Sequence, residues 1–251
     1  MLHLADAALV RATPTGRRTR LIAALDTADA DEAARWVKAV GPHVDAVKLG
    51  LEFTYAQGLQ AVRRLSDGSK LFLDLKLHDI PNTVTASIRA LGHALAPVRP
   101  AMLTIHAQGG QAMIVAARSA CDEAFGGDER PLLLAVTVLT SLDAEMLHET
   151  GIAGGPRQQV LRLGRLAMRS GADGLVCSPH EIAPLRDALG EAPVLVVPGV
   201  RPEGAEPGDQ KRIMTPAEAR DAGADWIVVG RPITRASDPA LAAAAIAAML
   251  A

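Results

Sequence analysis

A chain of 251 residues suits one large α/β domain better than two separate ones, and it is long enough to bury a core without disulfides or metal. Its formal net charge of −2, with both signs interspersed, excludes the basic field of a nucleic-acid binder. Two widely separated cysteines in apolar segments, Cys121 and Cys177, exclude a disulfide framework and suit a reducing cytoplasm.

In chain order, residues 1–19 come first, with Asp6 and Arg11 breaking any apolar core that a secretory leader would need. A short helix and a polar connector are expected there. Aliphatic and β-branched runs then recur at 21–25, 44–49, 71–77, 102–105, 132–139, 174–177, 194–197 and 226–229. They are nearly continuous rather than alternating, as parallel strands covered by helices should be. Between them, amphipathic stretches rich in Ala, Leu and Arg predict helices over 31–40, 54–65, 83–94, 111–124, 158–169, 182–189, 216–222 and 239–250. Pro216 and Pro239 suit first-turn positions, where a missing N–H costs little. The apolar end, 240–251, is shorter than the roughly 20 residues of a membrane span, so a closing helix and a soluble protein are expected. Strands each followed by a helix predict a single-domain (β/α)8 TIM barrel over 20–251. An open doubly wound sheet is the structural alternative, but no G-x-G-x-x-G follows the first run.

In such a barrel chemistry sits where strands end and βα loops begin. The polar residues falling there are Asp26, Lys48, Asp74, Lys76, Asp79, His106, Thr137, Thr140, Ser178, Arg201 and the pair Gly230-Arg231. The third run is the most informative. Residues two apart on a strand share a face, so Asp74 and Lys76 point one way while Leu73, Leu75 and Leu77 point toward the helices. A buried charge needs a partner, and Asp26 and Lys48 are the nearest candidates. A structural ion pair on a polar edge is the plain alternative for D-x-K in isolation, but Asp79 and the run Pro81 to Thr83 follow at once. His78 and His106 suit hydrogen-bonded structural roles, and Trp36 and Trp226 suit packing. No H-x-x-x-H or C-x-x-C spacing for a transition metal occurs.

The segment LDLKLHDIPNT (73–83) strongly resembles the signature of the orotidine 5′-monophosphate decarboxylase family. The likeness continues through ALDT (24–27), VKLG (47–50), TIHA (104–107), VTVLTS (136–141), VPGVRPEG (197–204), DQKRIMTP (209–216) and IVVGRPIT (227–234). The resemblance implies a cofactor-free decarboxylase of a nucleotide, working as a homodimer with shared active sites and without nucleic-acid or membrane partners. It implies a Lys48–Asp74–Lys76–Asp79 network in which Lys76 is the proton donor and Asp79 comes from the second subunit. Asp26 and Lys48 are then ribose contacts, Thr83 a partner-subunit contact, and Thr140 a pyrimidine contact. Gln210, Gly230 and Arg231 are phosphate-end contacts, and Arg201 is a nucleotide-binding arginine. The long polar stretch 201–216 is expected to close on phosphate. Two other classes remain beside this reading. One is a magnesium-dependent phosphosugar decarboxylase or aldolase on a related barrel, which shares D-x-K-x-x-D without the following IPNT. The other is a catalytically silent phosphate binder.

Overall fold

A computed structural model describes residues 18–66, 68–203 and 213–251. The helix and connector expected before the barrel fall almost wholly outside these residues. Eight strands pair in parallel: β1 (Arg20–Ala24), β2 (Ala46–Gly50), β3 (Leu71–Leu77), β4 (Met102–His106), β5 (Leu132–Val136), β6 (Gly174–Val176), β7 (Val194–Pro198) and β8 (Trp226–Val229). They follow chain order around a closed barrel, with β8 pairing back onto β1. All eight expected runs are strands, so the TIM barrel stands and the open sheet does not.

The boundary differences have local causes. The fifth run stops at Val136, three residues early: Thr137 N–H makes the last ladder bond, to the Val176 carbonyl at 3.1 Å, and its hydroxyl donates to the same carbonyl at 3.0 Å. Val138, Leu139 and Thr140 lie beyond the sheet. The third intervening helix begins at Pro81 rather than at Thr83, and another begins at Pro156; both prolines occupy the first turn, as do Pro216 and Pro239. Two short helices were not expected. Ala144–Glu149 is capped by the Asp143 carboxylate, which accepts from Met146 N–H at 3.1 Å. Arg231–Thr234 follows β8 immediately.

The pleat divides the core in two. One set, including Leu21, Leu49, Leu73, Leu103, Leu133 and Ile227, faces the helices. The other, including Ile22, Phe72, Met102, Leu134, Val196 and Trp226, fills the barrel interior. Each such side chain contributes about 1.5–3 kcal/mol of burial. At the lower rim one device recurs. Asp45, Asp173 and Asp225, just before β2, β6 and β8, each accept the N–H of a leucine on the preceding strand (Leu21, Leu133, Leu195) at 2.9, 2.8 and 2.7 Å. Each of these aspartates donates its own N–H back to the same leucine's carbonyl. At the equivalent place before β4, Ala101 keeps only the backbone bond, to Leu71 at 2.8 Å. The rim is thereby sealed by hydrogen bonds, and the opposite rim is left for chemistry. No helix among the described residues is long and apolar enough to cross a membrane.

Candidate active site

At the C-terminal ends of the strands lies a cavity of about 630 Å³. Strand ends supply Asp26, Lys48, Asp74, Lys76, Arg201, Gly230 and Arg231, and the loop freed after β5 supplies Thr140. The barrel thus brings together eight of the eleven residues expected at the site. Gln210 lies outside the described residues, as does most of the stretch expected to close on phosphate. The ends of that stretch are described: Val200 bridges Met214, and Arg201 N–H donates to the Met214 carbonyl at 2.9 Å.

The charged side chains form one chain of contacts. Lys48 Nζ stands 3.0 Å from Asp26 Oδ1 and 3.4 Å from Asp74 Oδ2. Lys76 Nζ donates to both Asp74 oxygens, at 2.9 and 2.8 Å. Gly50 makes room for this arrangement, since a Cβ there would stand 3.2 Å from Lys48 Nζ. Burial works to discharge Lys48, yet the carboxylates of Asp74 and Asp26 outweigh it and hold the ammonium above the ordinary lysine range. Burial likewise favours protonated Asp74, but Lys48, Lys76 and the Thr104 hydroxyl win and keep the carboxyl below its usual value. The site therefore holds fixed, ionised groups in a setting of reduced dielectric, where their fields are strongest.

Asp79 and Thr83 do not line the cavity of their own chain. Both are exposed, with Asp79 Oδ1 accepting from Ile80 N–H at 2.7 Å. Ile80 between them is 65% exposed. His106 sits beside His78, ring centroids 5.4 Å apart, and Ser178 starts a capping box in which Glu181 accepts its N–H at 2.7 Å. Trp226 packs inside the barrel as expected. Trp36 does more than pack, because it also lines the cavity, as do Glu32 one turn before it and Thr234 and Arg235. The i,i+4 spacing of Glu32 and Trp36, and of Arg231 and Arg235, is the signal in the sequence that marks these added wall residues. Thr104, which touches Asp74, carries no such signal.

The chain matches the family described as Orotidine 5'-phosphate decarboxylase / HUMPS over residues 19–246. It is 64% identical over 231 residues to an orotidine 5′-phosphate decarboxylase of Gluconobacter oxydans (strain 621H), covering 92% of this chain and 96% of that protein. It is 53% identical over 232 residues to one of Anaeromyxobacter sp. (strain K), covering 92% and 98%. Among solved structures, the orotidine 5′-phosphate decarboxylase of Lactobacillus acidophilus is similar with a TM-score of 0.81 at 38% identity, over 92% of this chain and 99% of that one. That of Pyrococcus horikoshii OT3 is similar with a TM-score of 0.72 at 25% identity, over 92% and 98%. With the match running from just before β1 into the last helix, the chain belongs to the orotidine 5′-phosphate decarboxylase / HUMPS family.

Proposed function

We propose that this chain decarboxylates orotidine 5′-monophosphate to uridine 5′-monophosphate, and that Lys76 protonates carbon 6. The observation that carries the reading is the Lys76 ammonium held on both oxygens of Asp74 inside the cavity. When the bond from carbon 6 to the carboxylate breaks, carbon dioxide departs and the electron pair stays on carbon 6, with no adjacent π system to spread it. Many decarboxylases borrow an electron sink from a cofactor; here positioned charge serves. The Lys76 ammonium lies beside the developing carbanion, stabilises it, and then gives it a proton. Asp74 keeps Lys76 charged and aimed, while Lys48 keeps Asp74 from standing as an uncompensated buried charge.

A positioned general acid supplies about 10²–10⁴-fold, whereas the hardest enzymic reactions are accelerated about 10¹⁷-fold or more. The rest comes from preorganised charge and from binding energy at the phosphate, far from the reacting carbon. Asp26 and Lys48 then hold the ribose and Thr140 the pyrimidine. Arg201, Gly230 and Arg231 hold the nucleotide's phosphate side, the arginines through paired N–H donors. The site is completed across a homodimer: Asp79 and Thr83, exposed and outside the lining of their own cavity, serve the partner's, as an isologous interface permits. The same reading puts the protein in the cytoplasm, where its buried free thiols Cys121 and Cys177 stay reduced.

The test is to mix purified protein with orotidylate and follow the loss of its absorbance with and without excess chelator. Turnover insensitive to chelator is expected. Absence of turnover would overturn the reading, and turnover that chelator abolishes would overturn the cofactor-free mechanism.

A further inference from the structure

The β3–β4 pairing is regular up to Leu73, which faces Leu103, and resumes at Leu77, which faces Ile105. Between those points β3 has three residues, 74 to 76, and β4 has one, Thr104. The surplus is taken up by a bulge whose last residue, Lys76, has φ +49°, in the left-handed region that residues with side chains disfavour. Thr104 is completely buried. Its Oγ1 lies 2.8 Å from Lys76 N and 2.9 Å from Asp74 Oδ1. The direction of both bonds is settled by chemistry. A peptide N–H only donates and a carboxylate only accepts, so the single hydroxyl proton goes to Asp74 and a lone pair takes the Lys76 N–H.

We propose that Thr104 is a positioning residue for decarboxylation: its buried hydroxyl ties the backbone of Lys76 to the carboxylate that holds the Lys76 ammonium. This rests on the functional reading above. The contacts form a closed loop, from Lys76 N through Thr104 Oγ1 and Asp74 Oδ1 to Lys76 Nζ and back along the lysine side chain. One hydroxyl therefore restrains both ends of the same lysine. Without it, the bulge loses the acceptor for its strained N–H, and Asp74 can rotate, carrying the ammonium with it. A displacement of about 1 Å at a reacting group costs on the order of 10²-fold in rate. The β-branched side chain also limits the hydroxyl to few rotamers on a strand.

The experiment compares Thr104→Val, which keeps shape and loses the hydroxyl, with Thr104→Ser, which keeps the hydroxyl. Thr19→Val serves as the control: this buried hydroxyl, just before β1 at the lower rim, donates to the Ala224 carbonyl at 2.8 Å. Thr104→Val is expected to lower kcat about 10²-fold while KM for orotidylate and binding of uridine 5′-monophosphate stay near wild type. Thr104→Ser should recover most of the loss, and Thr19→Val should leave kcat unchanged. If Thr104→Val does not fold, Thr104→Cys, a weak donor and acceptor of similar size, takes its place with the same expected split. An active wild type whose Thr104 variants turn over normally, lose affinity alone, gain nothing from serine, or fall no further than Thr19→Val overturns this proposal by itself. A wild type that leaves orotidylate untouched overturns the functional reading and this proposal with it.

Discussion

Replacing Lys76 with alanine removes the proposed proton donor and one of the two ammonium groups facing Asp74. The Lys76–Asp74 ion pair spans 2.8 Å, equivalent to an attraction of about 6 kcal/mol at an effective dielectric near 20. On the reaction side, an ammonium about 4 Å from a developing carbanion is worth about 4 kcal/mol under the same screening, or roughly 10³ in rate. Loss of the general acid adds about 10²–10⁴. Together these predict a fall in kcat of about 10⁵-fold or more. The fold should survive, because Asp74 keeps Lys48 at 3.4 Å and the Thr104 hydroxyl at 2.9 Å. The stability cost is therefore about 1–3 kcal/mol, below the roughly 3–5 kcal/mol of an orphaned buried charge. With Lys76 gone, Asp74 keeps Lys48 as its one cationic neighbour, so its net repulsion of a substrate carboxylate rises and orotidylate binding should weaken relative to uridine 5′-monophosphate. Absorbance kinetics give the first quantity, denaturant unfolding the second and calorimetric titration the third. A folded Lys76→Ala protein turning over within tenfold of wild type would remove Lys76 from the chemistry.

Arg231→Ala should weaken binding of orotidine 5′-monophosphate far more than binding of orotidine, which lacks the phosphate; equal losses for the two ligands would place the arginine elsewhere. Mixing inactive Lys76→Ala and Asp79→Ala proteins under conditions that exchange subunits should restore activity, since about half the dimers are hybrids and about a quarter of all sites regain both groups. If mass spectrometry shows exchange and activity stays flat, Asp79 acts within its own chain. Burial first, with His78 and Lys76 adding to it, holds His106 below the ordinary histidine value. The unfolded chain then takes up a proton that the folded chain resists, so stability falls as pH drops below about 6.5. His106→Gln should reduce the difference in melting temperature between pH 7.5 and 5.5; an unchanged difference would show that His106 does not titrate in folding.

Much of the architecture was legible in the chain itself because its causes are local. Near-continuous runs such as 71–77 mark buried parallel strands, and the stretches between them carry the period of a helix with one apolar face. Prolines at first turns and polar residues at strand ends are likewise short-range signals. From these followed the barrel, the rim that bears the chemistry, and the shared face of Asp74 and Lys76 on β3. The family resemblance added roles that spacing alone could not assign.

What only the tertiary structure decided depends on register between strands distant in sequence. Lys48 meets Asp26 across 22 residues and Thr104 meets Asp74 across 30. No local pattern marks Thr104 as different from any other threonine in a strand. Its hydroxyl matters because β3 bulges opposite it, and the bulge exists only once β3 and β4 are paired. The twofold hydrogen bonding of Thr137, by N–H and by hydroxyl, to the Val176 carbonyl on β6 has the same origin. So does the lower rim, where Asp45, Asp173 and Asp225 find leucine N–H groups on neighbouring strands. Hydrophobic periodicity is a property of consecutive residues and can be read along the chain. A hydrogen bond between side chains that are remote in sequence is a property of the closed barrel, and it is settled only when parallel pairing fixes which residues stand opposite one another.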